Sequence, residues 1–202
     1  MSRHFSEGRE IPRLEIFIDA ILAIIVTILV LEFKVPENTF SSDQEIKSFI
    51  GHLIPSFFSY GISFATIVGL WIDHHFLFRM IEKADVRFTF LNFIFILFLS
   101  PIPFTTALAG RNYESGFAVA LVATNYFMMT LSFSFIWFYA TKKKLVRQSW
   151  IKEGSFKRDL GITVSATLLL LLSIPLAYLS TYISFTLFIV AILMHIVKQF
   201  FR

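Results

Sequence analysis

The chain has 202 residues, of which 56% are apolar and only 16% charged, and its mean hydropathy is +0.71. A soluble domain of this size carries nearer about a quarter charged residues, so the composition excludes a water-soluble fold. The net charge of +4 acquires meaning through its placement, and the absence of Cys excludes disulfides and thiol chemistry.

A helical span needs roughly 20 mostly apolar residues to cross about 30 Å of hydrocarbon. Stretches at about 14–34, 51–78, 88–109, 116–141, 160–179 and 182–200 meet that requirement. They fill most of the sequence and leave no room for a soluble domain. The expectation is an all-α polytopic membrane protein, with residues 1–202 forming a single domain of six transmembrane helices.

The first span, from Arg13 onward, contains no Gly or Pro before Pro36, so it can remain an unbroken helix, yet it carries Asp19 in its first third. A charge inside a span serves a pathway or a fixed polar contact. The apolar run ends in Leu31-Glu32-Phe33-Lys34-Val35-Pro36 without a small-residue cleavage site, so it is read as a retained span rather than a signal peptide. Ile24, Ile28 and Leu31 follow the i, i+4, i+7 spacing of one helix face, and Thr27 is the hydroxyl beside them. Such a stripe either packs on a neighbouring helix or lipid, or lines a pore.

The second span carries Trp71-Ile72-Asp73-His74-His75 near its end, and the third carries Asn92 near its start. At 1.5 Å per residue, Asp19 lies about 9 Å and Asn92 about 7–8 Å inside the same membrane face. Three helices thus bring an acid, imidazoles, an indole and an amide to one layer, where unpaired polar groups cost several kcal/mol. A hydrogen-bond clamp between helices, a proton relay and a metal site are the readings open here. His74 and His75 sit about 100° apart on a helix and do not share a ligand face. No H-E-x-x-H, phosphate loop or nucleophile elbow occurs, so no metal, cofactor, enzymatic activity or nucleic-acid partner is expected. His52 and His195 stand alone and are expected to be satisfied by local contacts. Pro55, Pro101, Pro103 and Pro175 leave the later helices open to kinking.

Fifteen of the 18 Lys and Arg residues fall on the two termini and the even-numbered connections. The positive-inside rule then puts both termini in the cytoplasm. The fourth connection is the most basic, with Lys142, Lys143, Lys144, Arg147, Lys152, Lys157 and Arg158. It is read as a topogenic solvated loop, with anionic lipid binding as the second reading.

At these residues the chain resembles the endosomal/lysosomal transmembrane potassium channels, in their short six-helix prokaryotic form. The family's first helix carries Arg-x-x-x-Phe-Ser-Asp; here it reads Arg13-Leu14-Glu15-Ile16-Phe17-Ile18-Asp19, with Ile18 in place of the Ser. Ala23-Ile24-x-x-Thr27-x-Leu29-x-Leu31-Glu32-x-Lys34-Val35-Pro36, Trp71-x-x-His74, Leu91-Asn92 and Pro101-x-Pro103-Phe104 also match, so the resemblance spans about the first 110 residues.

The resemblance implies a potassium-selective cation channel that conducts passively and sits in a prokaryotic plasma membrane among lipid. Potassium is its permeant ion, and it needs no cofactor. A chain with one six-helix repeat would assemble as a homotetramer around a central pore lined by the first helix. On that reading Ile24, Thr27, Ile28 and Leu31 line a hydrophobic constriction. Arg13, Phe17, Asp19, Trp71, His74 and Asn92 then form a structural motif near the inner mouth. The rival from another class is a proton- or cation-coupled transporter using Asp19, His74 and His75 as a relay. A third is a membrane assembly subunit without transport activity.

Overall fold

The computed structural model describes residues 7–37, 39–147 and 155–198, with side chains from residue 11 and, after the second gap, from residue 158. Every regular element among them is helical: α1 (Glu7–Leu31), α2 (Asp43–Met80), α3 (Val86–Leu99), α4 (Ile102–Arg111), α5 (Gly116–Lys142), α6 (Ser155–Leu179) and α7 (Thr181–Val197). The segments Ile11–Leu31, Asp43–Met80, Val86–Arg111, Gly116–Lys142 and Arg158–Leu179 are long and apolar enough to cross a bilayer, and Thr181–Val197 is a shorter apolar helix. The protein is an integral, multi-pass membrane protein.

The boundaries depart from hydropathy where local chemistry decides them. The first helix ends at Leu31 rather than near residue 34, because Pro36 biases Val35 away from helical backbone. The second begins at Asp43, two turns before its apolar run. Ser42 caps it by accepting from the Glu45 amide at 3.3 Å, while Glu45 Oε2 accepts from the Ser41 amide at 2.8 Å. These reciprocal bonds satisfy backbone donors that would otherwise be orphaned at a helix start. At 38 residues, α2 is about 57 Å long and extends beyond the hydrocarbon.

The third span, expected to be one helix, is two. Pro101 supplies no N–H to the backbone ladder, and the chain breaks between Leu99 and Ile102. The Ser100 hydroxyl donates back to the Ile96 carbonyl at 2.9 Å and closes the end of α3. The last helix ends at Val197, with Lys198 as its cap; the expected continuation through residue 200 lies outside the described residues. So do the N-terminal Arg3, Lys152 of the basic connection and the C-terminal Arg202.

α5 occupies the middle of the bundle, packed on α3 and α4 on one side and on α6 and α7 on the other, while α1 packs on α2, α3 and α4. The core is built from fully buried Ile18, Leu22, Ile67, Leu70, Leu77, Phe88, Phe95, Tyr126, Met129 and Phe133. Two helix crossings require glycine. A Cβ on Gly116 would lie 2.8 Å from the Ala177 carbonyl oxygen, and one on Gly110 would lie 3.0 Å from Ser56 Cα. Backbones therefore approach closely at α5–α6 and α4–α2, as small residues permit in membranes.

The connections segregate to two ends. Glu82 N donates to Leu145 O at 2.9 Å and Arg147 N to Met80 O at 3.0 Å, so the second and fourth connections meet at one end, called here the basic end. The first and third meet at the other, where Arg111 reaches Glu32. This segregation is the one that the distribution of Lys and Arg calls for.

Candidate functional site

α1 divides along its length. Leu14, Ile18, Leu22, Ile25 and Leu29 recur every three or four residues, and all are buried against the rest of the bundle. The opposite face carries the four residues singled out for a pore. Ile24 is 55%, Ile28 38% and Leu31 69% exposed, and Thr27 is exposed between them. Ala20 and Ala23 continue this face toward the basic end. The chain therefore leaves an apolar stripe of α1 uncovered, while the same helix is tightly packed behind it. Thr27 Oγ1 donates to the Ile24 carbonyl at 2.8 Å. The hydroxyl proton is committed to the backbone, and the oxygen's lone pairs remain as acceptors.

The polar motif residues come together as separate pairs rather than one clamp. Trp71 Nε1 donates to Asp19 Oδ1 at 3.1 Å, joining α2 to α1. One turn along both helices, His75 Nδ1 lies 3.3 Å from Glu15 Oε1, and the Trp71 and His75 rings stack with centroids 5.8 Å apart. His74 turns to α3, where its Nε2 meets Asn92 Oδ1 at 3.2 Å, and Asn92 Nδ2 donates to the Phe88 carbonyl at 2.8 Å. His74 Nδ1 is buried without a hydrogen-bond partner among the described residues. Phe17 packs its ring on Phe93, 5.8 Å away. Arg13 is exposed and joins none of these pairs. Ile18, where the family pattern has Ser, is fully buried and contributes packing instead of a hydroxyl.

The relay reading finds no continuous path in this arrangement. Asp19 is bonded to Trp71, His75 faces Glu15, and His74 is bonded to Asn92. Among the described residues, no group of three or more His, Cys, Asp or Glu side chains is arranged to hold a metal ion.

Two features escape a reading of the sequence. Asp73 is completely buried and paired with Lys198 and His195 of α7. Lys198 had been counted only as a basic terminal residue, and His195 as isolated. Their i, i+3 spacing was the available signal, since it puts both on one face of α7. The second feature is Arg111, which ends α4 and donates from Nη2 to the Glu32 carbonyl at 2.6 Å, with the Glu32 carboxylate 3.9 Å away. A cation placed on the last carbonyls of a helix caps it and complements its dipole. Phe33, just beyond, stacks on Phe57 at 4.4 Å and meets Tyr60 edge-on at 5.4 Å. The end of α1 is thereby held on α2 and α4, beside a cavity of about 310 Å³ that Glu32, His52, Tyr60 and Arg111 help to line.

Comparison with known proteins adds an independent line. The family model for the endosomal/lysosomal potassium channel TMEM175 matches residues 13–103. A potassium channel of Chamaesiphon minutus is 30% identical over 146 residues, covering 70% of this chain and 72% of that protein. The human endosomal/lysosomal proton channel TMEM175 is 33% identical over 99 residues, 45% of this chain and 19% of that protein. Among solved structures, the crystal structure of a lysosomal potassium-selective channel TMEM175 homolog from Chamaesiphon minutus superposes with a TM-score of 0.81. It is 25% identical, and the match covers 94% of this chain and 98% of that one.

Proposed function

The chain belongs to the TMEM175 family of potassium channels, and on that premise we propose that it is a potassium-selective channel conducting passively through a central pore lined by α1. Four copies form the pore as a homotetramer in a prokaryotic plasma membrane, with both termini cytoplasmic and residues 1–202 acting as one channel domain. The observation that carries this reading is the uncovered apolar stripe of Ile24, Ile28 and Leu31 on a helix whose opposite face, Leu14, Ile18, Leu22, Ile25 and Leu29, is packed into the core. A stripe of that kind can face lipid, a neighbouring helix or a pore; on the family premise, four symmetry-related copies of α1 bring it around an axis.

The chemistry of such a pore is set by side chains. α1 runs without a break from Arg13 to Leu31, so its carbonyls up to Thr27 accept from the N–H four residues on and do not form a carbonyl filter. Rings of Ile24, Ile28 and Leu31 make a constriction that gates by dewetting. An ion crossing it sheds water without charged compensation, and potassium loses hydration more readily than sodium. The Thr27 oxygen, its proton held by the Ile24 carbonyl, faces the same stripe and offers a partial replacement ligand. Asp19 with Trp71, and Phe17 with Phe93, hold the inner half of α1 in place, His74 and Asn92 brace α2 on α3 beside it, and Arg13 stands at its mouth. No cofactor, metal or second gradient has a part in this mechanism.

Purified protein reconstituted into vesicles loaded with potassium tests it. Mass measurement in native lipid is expected to give four chains. Potassium efflux is expected to proceed without any imposed proton or sodium gradient. Monomers only, or efflux strictly dependent on a second gradient, would count against it.

A further inference from the structure

Two nitrogen donors converge on one buried carboxylate oxygen. Lys198 Nζ lies 2.6 Å and His195 Nδ1 3.1 Å from Asp73 Oδ2. Lys198 Nζ also donates to Thr163 Oγ1 on α6 at 3.0 Å, and that hydroxyl in turn donates to the Asp159 carbonyl at 2.9 Å. Asp73 is 0% and Lys198 3% exposed. Taking both ions out of water costs several kcal/mol each, offset only while the geometry and the extra hydrogen bonds hold. A charge pair of that cost, at the end of a helix that could have kept its lysine in solvent, marks a fixed docking point.

Its place on α2 gives the docking point a consequence. Measured around the helix from Trp71, His75 lies about 40° away, His74 about 60° in the opposite sense, and Asp73 about 160° away on the far side. Trp71 and His75 hold α1, His74 holds α3, and Asp73 holds α7. One rigid turn of α2 therefore carries contacts to three helices, and rotating it to release one disturbs the others. We propose that Asp73 and Lys198 are positioning residues for the pore helix: their ion pair sets the rotation of α2 and, through Trp71, the placement of α1.

Among the described residues, the titratable groups on the elements packed around the pair include Arg158, which lines a cavity with Lys198, and Asp159, whose carbonyl accepts from Thr163. α2 itself adds His74 and His75, and α1 carries Glu15 and Asp19 on the other side of α2. Asp85, which starts α3, is paired with Tyr139 of α5 at 2.6 Å. The inference rests on the channel reading only for its current readout.

The test compares the wild type with K198M, K198R, D73N and the double variant D73N/K198M. K198M leaves a buried carboxylate without its ammonium. It is expected to melt on the order of 10 °C below wild type. D73N/K198M replaces the ions by a neutral pair of similar volume and is expected to melt nearer wild type than K198M does, and K198R to resemble wild type. Amide exchange of residues 14–22 in α1, remote from Lys198, should be faster in K198M and in the double variant, which both lack the ion pair, and near wild type in K198R. In bilayers, K198M should carry reduced current and K198R a current near wild type.

If K198M does not assemble, fast α1 exchange in the double variant supports the proposal and wild-type exchange in it overturns it. Wild-type α1 exchange and current in an assembled K198M tetramer at neutral pH would reduce the pair to packing and overturn the positioning role. A wild type without potassium current would defeat the channel reading, and the melting and exchange comparison would still judge the pair.

Discussion

Trp71 Nε1 meets Asp19 Oδ1 at 3.1 Å across 52 residues of sequence, and this bond ties the α1 acid to α2 rather than to the exposed face. On the proposed reading, Asp19 is part of the scaffold of α1 at the basic end. The same turn repeats the arrangement with His75 and Glu15, so two rungs tie the antiparallel helices together.

From this follows a prediction about what the motif does. Asp19→Ala and His74→Ala should each weaken the tetramer more than they change ion preference. The histidine change should be the more severe, about 2–4 kcal/mol, because His74 is fully buried and its loss strands Asn92 beside a cavity. Asp19 is partly exposed, and its removal should cost nearer about 1 kcal/mol. Heat denaturation of the tetramer, paired with reversal potentials, checks both. An Asp19→Ala channel that assembles normally but loses proton-coupled flux alone would return the relay reading to favour.

How far this arrangement was legible depends on the range of the forces involved. The six spans follow from local hydropathy, since each helix must satisfy its own backbone in lipid. The buried and uncovered faces of α1 follow from its 3.6-residue period. The break at Ser100–Pro101 was only half visible: the proline marks where a ladder bond is missing, but hydropathy runs on through it. Trp71, His74 and Asn92 were legible as one polar layer, whereas which group bonds which was not. Asp73, His195 and Lys198 were missed because their partners lie 122 or more residues apart. A terminal lysine also reads as solvated until the helix carrying it is docked.

The two faces of α1 predict opposite mutational outcomes. Ile24→Asn should place four amides at a hydrocarbon ring, raising conductance and weakening potassium preference; Ile24→Phe should lower the current. Ile25→Ala and Leu29→Ala, on the buried face, should instead cost about 2–4 kcal/mol of stability and leave permeation little changed. Single-channel recording and melting of the four variants separate these outcomes. Unchanged conductance and selectivity in both Ile24 variants, with intact tetramers, would remove Ile24 from the pore.

Arg111 caps the far end of α1. Arg111→Gln should cost no more than about 1 kcal/mol of global stability, because the group is half exposed. It should nevertheless fray the last turn of the helix. Amide hydrogen exchange of residues 28–33 is expected to accelerate while that of residues 14–22 stays unchanged. Equal protection of the last turn in variant and wild type would show that Phe33 alone holds this end.

Close backbone approach can be tested with two glycines. Gly116→Ala drives a Cβ to 2.8 Å from the Ala177 carbonyl, so α5 and α6 must separate, at about 1–3 kcal/mol. Gly61→Ala in α2 meets nothing within 4 Å and should be neutral or stabilising by up to about 1 kcal/mol. Thermal melting of the two variants under identical conditions should give shifts of opposite sign or clearly different size; equal shifts would contradict the close crossing.

The central claim, a passive potassium pore along α1, is tested most directly by recording purified protein in a planar bilayer with potassium on one side and sodium on the other. The account predicts discrete unitary currents whose reversal potential is displaced toward the potassium equilibrium potential. A reversal at zero under that gradient, or the absence of any unitary current from assembled protein, would contradict it.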